Sequence, residues 1–129
     1  MFVAMGIHEL VVDTDFAAAH LLREYEGKCE ALHGHNWKVQ VRLRSNELDK
    51  LGMVMDFKDV KRLLAAVLSE LDHHYINEDV PYFAETNPTT ENLSVYVFRK
   101  IREQLPDRVS VAEVTIWESD HCGASYRED

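Results

Sequence analysis

His20, His33 and His35 are the residues of this chain best suited to hold a metal: two imidazoles one residue apart, and a third at the far end of a short loop. If the flanking segments are strands, alternation puts Phe16, Ala18 and His20 on one face of the first. On the second it aligns His33, His35, Trp37, Val39, Val41 and Leu43. Alternate residues of a strand stand about 7 Å apart along the chain, so two rings can turn onto one cation at the roughly 2.0–2.1 Å of a zinc–nitrogen bond. Three neutral nitrogens without a carboxylate favour zinc over calcium or magnesium, and three protein ligands leave a fourth position for water or substrate. One histidine at a strand end is ordinarily just a polar residue, whereas three on converging faces form a ligand set.

Other chemistry-bearing residues surround this triplet in sequence. Cys29 precedes His33 in the loop that must close the hairpin. It could be a fourth ligand closing a structural site, a thiolate base or nucleophile beside the cation, or an inert loop thiol. Asp72-His73-His74 follows an amphipathic segment, at a helix C-terminus where a carboxylate and an imidazole can hold or relay a proton or simply form a solvated cap. Glu118 ends a face made by Ala112, Val114 and Ile116. A carboxylate on an inward face needs hydrogen-bond donors, from a ligand with paired N–H groups or from a structural salt bridge. Trp37 and Trp117 read as core or interface residues.

The elements that must position these residues follow from periodicity. Even positions from His8 to His20 form one half-buried strand; residues 21–32, charged and containing Gly27, return the chain to a second strand whose Asn36, Lys38, Gln40, Arg42 and Arg44 face solvent. Antiparallel pairing then brings His20 beside His33 and His35. Phe57, Val60, Leu63, Leu64, Val67, Leu68 and Leu71 recur at helical spacing behind Asp56 as a cap. After a turn-rich passage through Pro81 and Pro88, Thr89-Thr90-Glu91-Asn92 starts a second helix with Leu93, Val97, Ile101 and Leu105 on one side, ended by Pro106. Alternation returns from Val109, and residues 124–127 suit a last strand. The order is ββααββ: an α+β fold, a four-stranded antiparallel sheet with two helices on one face.

The chain as a whole narrows the function classes. At 129 residues it reads as one domain, 1–129, able to bury about two-thirds of its unfolded surface without a staple. A formal charge of −9 with scattered Lys and Arg argues against nucleic acid or a membrane surface as partner. Two cysteines make no disulfide framework, and the start Met1-Phe2-Val3-Ala4-Met5-Gly6 lacks a signal peptide's basic flank and apolar run, so a cytoplasmic location is expected.

Six segments in order resemble the 6-pyruvoyl-tetrahydropterin synthase family, and within it the bacterial 6-carboxy-tetrahydropterin synthases of the queuosine pathway. They are Asp15-Phe16-Ala17-Ala18-Ala19-His20, Cys29-Glu30-Ala31-Leu32-His33-Gly34-His35-Asn36, Met55-Asp56-Phe57, Leu71-Asp72-His73-His74-Tyr75-Ile76-Asn77, Asn87-Pro88-Thr89-Thr90-Glu91-Asn92 and Trp117-Glu118-Ser119. Three residues between Cys29 and His33 match the carboxy-forming branch, whose mammalian-type relatives carry a longer insert; a folate-linked subgroup has Glu where this chain has Cys29.

The resemblance implies a tunnelling fold assembled into homo-oligomers, usually hexamers, and a substrate of the pterin triphosphate class, 7,8-dihydroneopterin triphosphate. It implies one zinc ion on His20, His33 and His35, Cys29 as proton-abstracting thiolate, Asp72 with His73 as charge-relay partners, and Glu118 as pterin anchor, with Thr89, Thr90 and Glu91 lining the same pocket. The implied product is 6-carboxy-5,6,7,8-tetrahydropterin, with acetaldehyde and triphosphate released. The alternatives are a pyruvoyl-tetrahydropterin product from triphosphate elimination alone, or a zinc- and pterin-binding module without turnover. Lys28, Arg23 and Arg127 lie near these segments in sequence and are candidates for the triphosphate.

Overall fold

Two 13-residue strands dominate the architecture, because the alternation on either side of the loop runs unbroken: β1 (His8–His20) and β2 (His33–Ser45). The structure, a computed structural model, describes residues 6–129; residues 1–5, and with them most of the segment read for a leader, lie outside the described residues. β1 buries Val12, Phe16, Ala18 and His20, while Val11, Asp13 and Asp15 stay exposed. Trp37, Val39, Val41 and Leu43 of β2 form the centre of the core. The Trp37 ring stacks on Phe16, centroids 5.8 Å apart, and its indole N–H donates to the Ala18 carbonyl at 3.2 Å.

The sheet continues through β3 (Ser110–Trp117) and β4 (Gly123–Tyr126), antiparallel throughout in the order β1-β2-β3-β4. A break in register between Arg42 and Leu43 alters the expected inward face of β3. Glu113 pairs with Arg42 but Val111 pairs with Leu43, leaving Ala112 as the extra residue of a bulge. Val111, Val114 and Ile116 are therefore the buried residues, and Ala112, expected on that face, is only half-buried.

Both expected helices form, on the same side of the sheet. Asp56 caps α1 (Phe57–Leu68) by accepting from the Lys58 amide, and Thr89 caps α3 (Thr90–Arg102) by accepting from the Asn92 amide. α1 packs on β1, and α3 on β3 and β4, with Val60, Leu64, Leu93, Val97 and Ile101 sealed between the layers. Phe57, read as part of the α1 stripe, stays 53 % exposed because it occupies the first turn, beyond the edge of the core. The passage between them holds a single-turn helix, α2 (Ile76–Asp79), and a 3-10 turn (Pro81–Phe83). Among the described residues no helix is long and apolar enough to cross a membrane.

The β3–β4 hairpin works only with a glycine at 123. A Cβ there would stand 2.7 Å from the Trp117 ring and 2.9 Å from the Ile116 carbonyl. Gly123→Ala should cost about 1–3 kcal/mol through overpacking, read as a lower urea midpoint with an unchanged slope; an unchanged midpoint would show that the hairpin can shift freely.

Candidate functional site

The strand register sets the site directly. His20 and His33 are cross-strand partners, and His35 lies opposite Ala18, one step along the same face. The three rings meet edge to face, with centroids 4.6–5.2 Å apart. His20 forms the floor at 2 % exposure, while the side chains of His33 and His35 line a partly open rim.

Two carbonyls decide which nitrogens face inward. His20 Nδ1 lies 2.8 Å from the Pro88 carbonyl oxygen, and His33 Nδ1 lies 2.8 Å from that of Ala31. A carbonyl only accepts, so each Nδ1 carries the proton and each Nε2 presents a lone pair. Those two Nε2 atoms are 3.1 Å apart. Lone pairs at that distance repel unless a cation or proton lies between them, and burial, the largest influence on His20, pushes its imidazole below its ordinary basicity. Two nitrogens on one tetrahedral zinc at its usual bond length stand about 3.3 Å apart. His35 supplies a further sign: its Nε2 is buried without a hydrogen-bond partner, although Glu118 Oε1 is 3.0 Å away, out of line for a bond. The ligand atoms of His20, His33, His35 and Glu118 all lie within 4.8 Å of one another, so these residues can hold a metal ion.

One tetrapeptide, residues 87–90, wires this cluster to the fold. The Asn87 side chain accepts from the Arg23 amide and donates to the Arg23 carbonyl, pinning the chain just after His20. Pro88 orients His20, Thr89 caps α3, and the Thr90 hydroxyl donates to Glu118 Oε2 at 3.2 Å. A second clasp is made by Asn77 of α2, which accepts from the Leu21 amide and donates to the Leu21 carbonyl. Sequence reasoning passed over both asparagines as pocket-builders; their signal was an amide flanking each motif inside an otherwise apolar or turn-forming run.

The remaining expected site residues fall into separate groups. Asp72 and His73 form a pair, Oδ2 to Nδ1 at 3.0 Å, on the free edge of β1. There Asp72 Oδ1 accepts from the Ala17 amide and the His73 amide donates to the Ala17 carbonyl. The Ala17 amide, with help from His73, holds the Asp72 carboxyl below the usual carboxylate range. His73 adopts φ 61°, a left-handed conformation uncommon outside glycine, and its imidazole is 83 % exposed. His74 turns away to Asp79. Cys29 is exposed in the loop and its sulfur is outside the four-residue cluster. Thr89 is engaged as a cap, and the Glu91 side chain is exposed in the first turn of α3.

Of the basic candidates, Arg23 is a loop brace: its guanidinium donates to the carbonyls of Phe83, Asn77 and Thr86. Arg127 leans toward Glu113 and Asp129, and Lys28 is exposed in the Cys29 loop. A cavity of about 610 Å³ is lined by Glu70, Tyr82, Tyr96 and Lys100 among others and includes none of the cluster. The histidine site of a single chain is open-sided, since the side chains of His33, His35 and Glu118 all remain partly exposed.

Asn87→Ala leaves both polar groups of Arg23 without their partner and should destabilise the fold by about 1–3 kcal/mol in urea unfolding; no loss would mean that water replaces the clasp. Asp72 titrates at lower pH folded than unfolded, so it stabilises the fold above the ordinary aspartate value near ~4 and loses that effect as pH falls toward its folded value. Wild type should therefore exceed Asp72→Asn in stability at neutral pH, the gap closing as pH falls through that window. A gap constant with pH would detach the effect from the carboxylate.

Comparison with known proteins places this geometry in a family. A family sequence model described as 6-pyruvoyl tetrahydropterin synthase matches residues 9–129. The chain is 40 % identical over 108 residues to a 6-pyruvoyl tetrahydrobiopterin synthase of Poecilia reticulata, covering 81 % of this chain and 73 % of that one. It is 39 % identical over 93 residues to a 6-carboxy-5,6,7,8-tetrahydropterin synthase of Synechocystis, covering 68 % and 70 %. The solved 6-pyruvoyl tetrahydropterin synthase of Caenorhabditis elegans superposes with a TM-score of 0.82 at 28 % identity, over 99 % of this chain and all of that one. The sheet with its helices on one face is the tunnelling fold. The chain belongs to the 6-pyruvoyl tetrahydropterin synthase family, enzymes that act on pterins.

Proposed function

We propose that this chain converts 7,8-dihydroneopterin triphosphate and one water to 6-carboxy-5,6,7,8-tetrahydropterin, releasing acetaldehyde and triphosphate, an early step toward queuosine. The observation that carries a metal-assisted pterin reaction is the meeting of three histidine nitrogens with Glu118 at the open end of the β1–β2 ladder. Three nitrogens and a borderline-soft site favour zinc, one ion per chain, on His20, His33 and His35. Bound zinc supplies Lewis-acid polarisation of the substrate's side-chain hydroxyls.

The protein's own groups do the rest. Cys29 removes a proton from the side-chain carbon, and its place outside the cluster suits a base better than a ligand. Asp72, kept anionic by the Ala17 amide, holds His73 by its Nδ1. His73 gives or takes the complementary proton as triphosphate leaves and the carbon–carbon bond breaks. Glu118 accepts from the aminopyrimidine edge of the pterin and fixes its orientation, with Thr90 holding the carboxylate and Thr89 and Glu91 forming the neighbouring turn. Cys29 and His73 are both exposed on one chain and the cluster has an open side. This supports completion of the site in a homo-oligomer, a hexamer by family likeness; the proposed place of work is the cytoplasm.

The pyruvoyl-forming reaction is the second reading, favoured by the identity to the Poecilia reticulata protein; the short Cys29–His33 spacing favours the first. Mass analysis of zinc-loaded protein with dihydroneopterin triphosphate separates them. Acetaldehyde with a carboxy-pterin is expected; a pyruvoyl-pterin would establish the second reading, and unchanged substrate would refute both. Cys29→Ala should bind zinc as wild type does while turnover falls about 10²–10⁴-fold; loss of zinc instead would make the thiol a ligand.

A further inference from the structure

We infer that Glu118 is the fourth ligand of the metal centre while no substrate is bound, a carboxylate cap that substrate must displace. The proposed reaction needs only three histidines and gives Glu118 to the pterin. The geometry gives it a second task. Its Oε1 stands among the three imidazole nitrogens, all four ligand atoms within 4.8 Å of one another. Its contact with His35 Nε2, 3.0 Å long yet lacking hydrogen-bond alignment, is what two ligands of one cation show and what a neutral hydrogen-bonded pair does not. His20 and His33 bring their Nε2 atoms to 3.1 Å while each Nδ1 faces a carbonyl, so two lone pairs meet there as well.

The carboxylate is held for this purpose at both ends. Its backbone amide donates to the Cys122 carbonyl at the mouth of the β3–β4 hairpin. Its other oxygen, Oε2, accepts from Thr90, a residue 8 % exposed and fixed in the first turn of α3. One oxygen is thereby restrained and the other aimed at the nitrogens.

Four protein ligands close a tetrahedral site, and chemistry requires one to leave. Glu118 is the one able to leave: its side chain is 37 % exposed, whereas His20 is sealed at 2 %. A ligand carrying paired N–H groups offers the carboxylate a better-aligned partner, so recognition of a heterocycle edge would free the coordination position as the substrate's hydroxyl oxygens arrive. This last clause rests on the pterin reading; ligation itself does not.

Cobalt(II) substitution tests ligation without turnover. Wild type should show four-coordinate visible bands that azide leaves unchanged. Glu118→Ala should take up azide with a clear spectral shift. Glu118→Gln should bind cobalt at least about tenfold more weakly in chelator competition, as loss of even an outer-sphere partner does. Thr90→Val should lie between, since it frees the carboxylate without removing it. Wild type that binds azide as Glu118→Ala does, or Glu118→Gln with wild-type affinity and bands, overturns the cap. Product analysis on the same wild-type preparation keeps the two proposals apart: product formed by an azide-accessible centre refutes the cap alone, and a capped centre with unchanged substrate refutes the reaction alone.

Discussion

A proton held on His20 Nδ1 by the Pro88 carbonyl is the constraint on which the site depends. His20 is almost fully buried at the end of β1, so its ring can neither rotate into solvent nor gain charge cheaply. Fixing the proton outward turns a lone pair inward, toward the equally fixed lone pair of His33. Everything around the cluster then serves to keep Pro88 where it is. Asn87 binds it to the chain beyond His20, and Thr89 starts α3 one residue later. Helix, loop and strand end cannot drift separately.

The same economy explains the division between rigid and open groups. The candidate metal ligands His20, His33 and His35 sit on paired strands, where Trp37 packs against both His20 and His35 and its indole N–H grips Ala18. Proton-handling candidates sit at margins: Cys29 in an exposed loop, His73 at a left-handed corner on the strand edge. Asp72 joins the two classes, since its bond to the Ala17 amide anchors that corner to β1, three residues before His20. A rigid floor of imidazole nitrogens with adjustable rim groups suits the proposed reaction, in which the substrate enters, loses a large anion and leaves.

What the sequence reveals is what local periodicity can encode. The paired strands, both capped helices and the convergence of His20, His33 and His35 all follow from spacing within a few residues. The bulge at Ala112 does not, because it arises from pairing with Arg42 and Leu43 in another strand. Nor do the clasps of Asn77 and Asn87, which join residues 56 and 64 positions apart. Arg23 shows the limit most clearly: charge and proximity suggest phosphate, yet three carbonyls from distant turns claim its guanidinium. Glu118 was legible as an inward carboxylate in need of donors, but its place beside His35 emerges only once β3 is laid against β2.

Zinc K-edge X-ray absorption on the zinc-loaded protein bears most directly on the central claim, a nitrogen-rich centre with Cys29 left free for chemistry. The account predicts nitrogen and oxygen scatterers alone, at about 2.0–2.2 Å. A sulfur shell near ~2.3 Å would place Cys29 on the metal and contradict it.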